Sequence, residues 1–281
     1  NSLRLDGLKI VIDCANGAAY KVGPTILWEL GAEVISLNVS PDGTNVNKDS
    51  GSTNPKNLIS MVKKTKADLG IALDGDADRC ILVDDKGNII NGDLILAIIA
   101  SNWKNKNLLN YNTVVGTTMT NTALENYLIN QKIKFQRTEV GDRNIIKEMK
   151  KKNFVLGGEP SGHIILSNRS SSGDGLLAAL EVLYSLKEVK KKLSHFTKSF
   201  KPFPQIIENF SITSSLTAEK IIESTKKDFL KLKSSLKSNT RLIVRKSGTE
   251  NKIRVMAEAK DLIFCKKIML KASKILKSIN K

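Results

Sequence analysis

Cysteine is scarce and poorly spaced for structural chemistry. Cys14, Cys80 and Cys265 are odd in number, far apart and form no CxxC pair, which argues against a disulfide framework or a zinc site. Aromatic residues make up only 5% of the chain and interleave with none of its basic runs, so a base-stacking nucleic-acid surface is not expected. No run approaches the roughly 18 apolar residues of a membrane span, and no charged-apolar-small leader opens the sequence. These absences fit a cytoplasmic protein, in which the Asn-x-Ser triplets at Asn38, Asn168 and Asn209 carry no meaning as glycan sites. Acidic side chains are also outnumbered, 28 against 45 Lys and Arg, for a net charge of +17. The excess is scattered lysine in stretches such as "MVKKTKAD" and "KEVKKKL", read as solvated helix faces. At most it adds a general attraction for small phosphorylated anions.

What is present is enough apolar residue, 41% of 281, for two or three cores of roughly 100 to 150 residues each. "LKIVIDCANGAAYKVGPTILWELGAEVISLNV" reads as strand, turn, helix and strand, a βαβ unit with its loops at the carboxyl ends of the strands. A Gly- and Asn-rich loop follows, then a helix over about 56–65, the strand "ADLGIALD", the strand "RCILVDDKG" and the helix "DLILAIIASNW". From "YNTVVGTTMTN" onward the same layout repeats, and "KPFPQ" reads as a linker. The last 75 or so residues differ, with strands "IIENFSI", "RLIVR" and "KIRVMAEA" and two helical segments. The expected fold is two consecutive α/β mixed-sheet domains, 1–104 and 105–203, followed by a small α+β domain, 204–281. The chain opens on Asn1 and a polar lead-in, so something is expected to precede it.

Four segments carry candidate chemistry. In "IALDGDADRC", Asp74, Asp76 and Asp78 stand two apart with Arg79 behind them. Crowded carboxylates repel unless a cation or hydrogen bonds compensate, and hard oxygen ligands at this spacing suit Mg²⁺ or Ca²⁺. An EF-hand would use Asp74, Asp76, Asp78 and Asp85, but Arg79 stands where Gly is needed and the flanks read as strands. A phosphatase of haloacid-dehalogenase type, with Asp74 as nucleophile and Asp76 as acid, is the stronger rival. In "GGEPSGH", Glu159, Ser161 and His163 form a polar set between glycine turns, suited to sugar hydroxyls. In "RKSGTE", Arg245, Ser247, Gly248 and Thr249, with Arg254 beyond, form a cradle for a phosphate dianion. "EVGDRN" joins a strand to a helix, and capping by Asp142 accounts for it, with Asp142 and Arg143 as weaker site candidates.

Taken in this order, "DGDADR", "VGDR", "GGEPSGH" and "RKSGTE...IRVM" resemble the α-D-phosphohexomutases, and the likeness spans nearly the whole chain. The resemblance implies that Asp74, Asp76 and Asp78 hold Mg²⁺, and that Arg79, with Asp142 and Arg143, serves the transferring phosphoryl group. It implies that Glu159, Ser161 and His163 bind the sugar, and that Arg245, Ser247, Gly248, Thr249 and Arg254 clamp the substrate's other phosphate. It also implies an isomerase that moves phosphate between O6 and O1 of a hexose through an enzyme phosphoserine and a hexosamine 1,6-bisphosphate. "RKSGTE" favours glucosamine phosphate, on the way to UDP-N-acetylglucosamine and cell-wall precursors; mannose or glucose phosphate is the alternative. The family's phosphoserine lies in a "TASHNP"-like loop of an amino-terminal domain, and "GSTNP", Gly51 to Pro55, is only an echo placed after the βαβ unit. The chain is therefore expected to represent the last three of four domains, to be inactive alone and to hold Mg²⁺ weakly. Pro160 stands where a polar residue is expected. The expected partners are a sugar phosphate, the amino-terminal domain and a second copy of the protein, with no nucleic acid or membrane.

Overall fold

The computed structural model describes residues 3–197, 201–212, 217–236, 239–247 and 251–278. The chain divides into two compact units, Asn1–Lys201 and Pro202–Lys281. The first holds two sheets. Strands β1 (Lys9–Asp13), β2 (Glu33–Leu37), β3 (Leu69–Leu73), β4 (Cys80–Asp84) and β5 (Ile89–Ile90) form one, in the order β2-β1-β3-β4-β5. β1 runs parallel to β2 and β3, whereas β3, β4 and β5 pair antiparallel. Strands β6 (Thr113–Thr117), β7 (Lys134–Thr138), β8 (Leu156–Gly158) and β9 (Ile164–Leu166) form the other, in the order β7-β6-β8-β9, again parallel except for the last hairpin. The mixed-sheet architecture and its repetition are as the alternating pattern predicts.

The central strands of the first sheet form where the sequence is apolar almost throughout. β3, "LGIAL", and β4, "CILVD", are buried at every position, as expected of strands covered on both faces. Helix α1 (Val22–Glu29) links β1 to β2, and α2 (Lys56–Thr65) covers one face of the first sheet. Leu58 and Val62 of α2 reach Val11, Ala72, Ile81 and Val83, and each such burial is worth about 1.5–3 kcal/mol. Gly70 permits the approach, because a Cβ there would lie 2.8 Å from both Leu58 Cδ1 and Val62 Cγ2.

Helices α3 (Gly92–Asn105), α4 (Thr122–Asn130), α5 (Asp142–Lys152), α6 (Gly175–Val189) and α7 (Leu193–Phe196) complete the unit. α3 starts where the Asn91 side chain accepts from Leu94 N, and α6 where Asp174 accepts from Leu177 N, both ordinary N-caps. The expected boundary near residue 104 lies at the end of α3, and α3 packs on α4, α6 and β8 of the second sheet. α6 in turn touches β3 and β4 as well as β9, which ties the two sheets into one body. The capping expectation at Asp142 is corrected: Gly141 is the N-cap of α5 with no side-chain cap bond, and Asp142 is the first helical residue. Gly141 has φ +121°, so the backbone itself makes the turn into the helix.

The second unit is a three-stranded antiparallel sheet of β10 (Gln205–Ser211), β11 (Arg241–Lys246) and β12 (Lys252–Glu258) in the order β10-β12-β11, covered by α8 (Ala218–Ser234) and α9 (Leu262–Lys277). Its core joins Ile221 and Phe229 of α8 to Val255 of β12 and Ile268 and Met269 of α9. This is the expected α+β layout.

Candidate active site

The acidic segment is the β3–β4 hairpin turn. Buried strands flank it on both sides, which is incompatible with the helix-loop-helix of an EF-hand. Ala77, at φ +61°, closes the turn by donating to Asp74 O at 3.1 Å. Asp74 is 3% exposed. Its Oδ1 accepts from Arg79 N at 3.0 Å and its Oδ2 lies 3.1 Å from Arg79 Nε, which also stands 3.5 Å from Asp78 Oδ1. Burial above all, reinforced by Asp78 and Asp76, outweighs these contacts and pushes the Asp74 carboxyl up to about 6. Carboxylate oxygens of Asp74, Asp76 and Asp78 lie within 4.8 Å of one another. A set of three hard oxygen donors, one held away from water at a cost, fits a divalent cation of the Mg²⁺ or Ca²⁺ type.

The "GEPSGH" segment is the β8–β9 hairpin, and the two hairpins meet. Arg79 and His163 form an antiparallel β-bridge, and Cys80 N donates to Gly162 O at 3.0 Å. Gly162 has φ +95°, and a Cβ there would fall 2.2 Å from Cys80 O, so only glycine allows the join. His163 is 7% exposed, and its Nδ1 lies 3.1 Å from Asp78 Oδ2. Its Nε2 is buried without a hydrogen-bond partner among the described residues. Gly173 makes room for the ring, since a Cβ there would come within 2.3 Å of Nε2. Glu159 Oε1 accepts from Gly141 N at 3.0 Å, and Ser161 Oγ reaches Glu159 Oε2 at 3.5 Å. Through that bond the sugar-binding candidate Glu159 touches the "VGDR" loop, where Asp142 is half-buried and Arg143 exposed. The first unit thus gathers Asp74, Asp76, Asp78, Arg79, His163 and Glu159 along one joined pair of hairpins.

In the second unit Arg245 of β11 stands opposite Arg254 of β12 in the strand register, both half-buried. Ser247 N donates to Lys252 O at 2.8 Å, and its buried Oγ has no hydrogen-bond partner among the described residues. Gly248 and Thr249, the other candidates of this turn, lie outside the described residues. All three cysteines are free and buried, and burial, with Asp13 close by, pushes the Cys14 thiol up to about 12.

The sequence reading passed over Asp13 at the end of β1. Its carboxylate is fully buried and accepts from Ala15 N, Asn38 Nδ2 and Gly51 N. The local signal was an acidic residue closing an otherwise apolar strand and followed by a turn, "VIDCANG".

Two α/β sheets of one strand order thus bring an acidic turn on one against a glycine-tight polar hairpin on the other. The chain belongs to the phosphoglucomutase/phosphomannomutase family. Residues 1–87 match the family's alpha/beta/alpha domain II, residues 91–203 its alpha/beta/alpha domain III, and residues 200–262 its C-terminal domain. The chain is 53% identical over 260 residues to a phosphoglucosamine mutase of Zymomonas mobilis, covering 92% of this chain and 58% of that protein. It is 44% identical over 268 residues to one of Brucella ovis, covering 95% and 59%. The chain therefore spans somewhat more than half the length of these relatives. Among solved structures it is similar to a phosphoglucomutase/phosphomannomutase family protein of Burkholderia thailandensis, with TM-score 0.79, 22% identity and coverage of 99% and 62%. It is likewise similar to an N-acetylphosphoglucosamine mutase of Aspergillus fumigatus in complex with GlcNAc-6P and magnesium, with TM-score 0.74, 20% identity and coverage of 100% and 67%.

Proposed function

We propose that this chain is the metal-, sugar- and phosphate-binding part of a phosphoglucosamine mutase, which interconverts glucosamine 6-phosphate and glucosamine 1-phosphate. The observation that carries the reading is the joined pair of hairpins, which sets three convergent carboxylates, Arg79 and His163 beside Glu159 and Ser161. Relatives of that name at 44% to 53% identity favour glucosamine over mannose or glucose.

In the proposed reaction, O1 of glucosamine 6-phosphate attacks the phosphorus of an enzyme phosphoserine. The serine Oγ–P bond breaks as the O1–P bond forms, and the O1 proton passes to a base. The hexosamine 1,6-bisphosphate then turns end for end while bound, the serine takes the phosphoryl group from O6, and O6 recovers a proton. The sequence holds no "TASHNP"-like loop, so the serine is assigned to a segment outside these 281 residues. Asp74, Asp76 and Asp78 would hold Mg²⁺, which supplies neutralisation of charge on the moving group. Arg79, tied to Asp74 through Nε, offers the remaining donors of its fork to phosphoryl oxygens. Glu159 and Ser161 orient sugar hydroxyls. Arg245, Ser247 and Arg254, with Gly248 and Thr249, hold the other phosphate, and equivalent binding of both phosphates permits the turn. Asp142 and Arg143 are proposed as a secondary contribution beside Glu159. A homodimer and a cytoplasmic location belong to the same proposal.

The test is direct. The 281-residue chain is expected to bind Mg²⁺ and glucosamine 6-phosphate without turnover, and to turn it over once a serine-bearing domain of a relative is joined to it. Turnover by the unextended chain, or a preference of the joined protein for mannose or glucose 6-phosphate, overturns the respective part of the reading.

A further inference from the structure

Asp13 sits one strand away from the acidic turn, at the carboxyl end of β1, where its register partner on β3 is Ala72. It is a fully buried carboxylate, a costly group to keep in a fold unless donors compensate it. Three donors do. Oδ1 accepts from Ala15 N at 2.9 Å and from Asn38 Nδ2 at 2.9 Å, and Oδ2 accepts from Gly51 N at 3.0 Å. These donors come from both connections at this end of the sheet: Ala15 from the one after β1, and Asn38 and Gly51 from opposite ends of the long Gly- and Asn-rich one between β2 and α2. Each loop bends there through the left-handed region, at Ala15 (φ +52°), Asn16 (φ +50°), Asn38 (φ +51°) and Gly51 (φ +66°). For the non-glycine residues this conformation is held only where the surroundings determine it.

The loops that Asp13 fixes grip the acidic turn from two sides. Ala18 N donates to Gly75 O, between the first two carboxylates, at 2.8 Å. Gly17 packs so closely there that a Cβ would fall 2.2 Å from the same oxygen. On the other side the Gly51 turn backs the residue before Asp74, since a Cβ at Gly51 would lie 2.3 Å from Leu73 O. Asn47 N closes the frame by donating to Ala15 O at 2.9 Å.

The second sheet shows that turning the chain does not itself require a carboxylate. At the matching end of β6, Thr117 is fully buried, and its Oγ1 accepts from Met119 N at 3.1 Å, as Asp13 accepts from Ala15 N. The following residue bonds across to the neighbouring strand in both places, Cys14 N to Leu37 O and Thr118 N to Thr138 O. A neutral hydroxyl thus serves where the adjacent hairpin carries no crowded charges.

We propose that Asp13 is a positioning residue: its carboxylate gathers the β1–α1 and β2–α2 connections into a frame that holds Asp74 and Asp76 in the geometry that binds a divalent cation. The inference rests on the reading of the acidic turn as a cation site, and the test separates the two. Mn²⁺ titrated into the metal-free chain and followed by water-proton relaxation gives the dissociation constant, with Mg²⁺ as competitor. Hydrogen exchange of the metal-free chain follows the 74–79 turn, whose Ala77 and Arg79 amides bond Asp74. Asp13→Asn places an amide donor against the N–H groups that the carboxylate accepts. It is expected to raise the Mn²⁺ dissociation constant at least tenfold and to speed exchange across 74–79 about as much, leaving 113–117 unchanged. Asn38→Gly keeps the backbone conformation while removing one donor, and is expected to weaken Mn²⁺ about threefold; it decides the matter if Asp13→Asn does not fold. Val11→Ala, which loosens the same sheet from its α2 face, should lower thermal stability without moving the dissociation constant. A folded Asp13→Asn chain with Mn²⁺ affinity within twofold of the parent and unchanged exchange at 74–79 overturns the inference, even if its melting temperature falls. If the parent chain binds no Mn²⁺ that Asp76→Asn abolishes, the cation reading fails and the exchange arm alone decides whether Asp13 holds the turn.

Discussion

The β3–β4 and β8–β9 hairpins occupy the same place in two sheets of the same strand order, β2-β1-β3-β4 and β7-β6-β8-β9, yet their chemistry is opposite. The first concentrates negative charge in Asp74, Asp76 and Asp78, and the second is a tight glycine turn with one carboxylate, a hydroxyl and an imidazole. Their surroundings differ accordingly. The charged turn is braced by Arg79 and by the connections gathered on Asp13, and burial still raises the Asp74 carboxyl. The polar turn is held by backbone bonds instead, Glu159 N donating to His163 O and Gly162 N to Glu159 O within it, and Cys80 N to Gly162 O and Gly92 N to Pro160 O from outside. One scaffold thus carries two chemistries, and the difference lies in how much compensation each set of side chains demands.

The largest effect should come from breaking the join between the hairpins. Gly162→Ala forces a Cβ to 2.2 Å from Cys80 O at φ +95°, where backbone must move. Strain and the lost bridge together should cost about 3 kcal/mol, or a fall of about 6–12 °C in the melting temperature of a unit of this size. Gly43→Ala is the comparison, since Gly43 also has positive φ, +87°, but nothing within 4 Å of its Cβ position. Its loss should be no more than about 1 kcal/mol. Calorimetry of the two variants checks the contrast, and equal losses would show that the hairpins do not depend on each other.

Next comes the charge itself. Asp74→Asn should weaken Mg²⁺ more than a hundredfold by titration calorimetry, because the buried ligand anchors the set. In the metal-free chain the sign reverses. The folded Asp74 carboxyl, near 6, lies above its ordinary range, so the fold holds that proton more tightly than the unfolded chain does. Its contribution to stability is therefore fully present below about pH 4 and is lost as pH rises through 6. Asn carries no such penalty, so the melting temperature of the variant relative to the parent should climb between pH 4 and pH 7, by a few degrees. Mg²⁺ affinity of the parent should fall as pH drops below about 6, as protons compete for the ligand. A variant that is less stable than the parent at pH 7 without metal would contradict the account of Asp74 as a group held charged at a cost.

How much of this was legible in the sequence follows from the distances along the chain that each feature spans. The acidic turn has its carboxylates and Arg79 within six residues and apolar strands on either side, so spacing and hydropathy were enough. The repeated layout was legible for the same reason, and so was the α+β character of the last region. The Asp13 frame was not, since its partners Asn38 and Gly51 lie 25 and 38 residues away, and an Asp closing a strand looks like any strand end. The bridge between Arg79 and His163 joins two motifs that lie far apart in the chain, and nothing in either motif alone signals the pairing. At the start of α5, Asp142 had the right residue type for a cap, but Gly141 took the position through its own backbone freedom. Local pattern specified the parts, and long-range pairing assembled them.

A smaller effect tests whether the join is also electrostatic. His163→Gln removes the ring whose Nδ1 lies 3.1 Å from Asp78 Oδ2. Loss of that contact should cost about 1 kcal/mol, or about 2–4 °C, and change Mg²⁺ affinity less than fivefold. A change as large as that of Asp74→Asn would place the imidazole inside the cation site rather than behind it.

The smallest structural effect is expected at Glu159, and it probes the division of labour between the hairpins most finely. Glu159→Gln keeps an oxygen that can accept from Gly141 N, now met at 3.0 Å by Oε1, and replaces the other oxygen, which makes only a 3.5 Å contact with Ser161 Oγ. The fold therefore loses almost nothing, and the melting temperature should move by no more than about 2 °C, the range of substitutions that disturb no buried partner. Cation affinity should stay within twofold, because Glu159 is not among the convergent carboxylates. Glucosamine 6-phosphate affinity, measured by calorimetry on the same sample, should fall about tenfold, the scale of one charge-assisted hydrogen bond exchanged for a neutral one. If sugar-phosphate binding is untouched while cation binding weakens, the second hairpin serves the metal rather than the sugar. The two turns would then be one site with a single task, and their opposite chemistries would need another explanation.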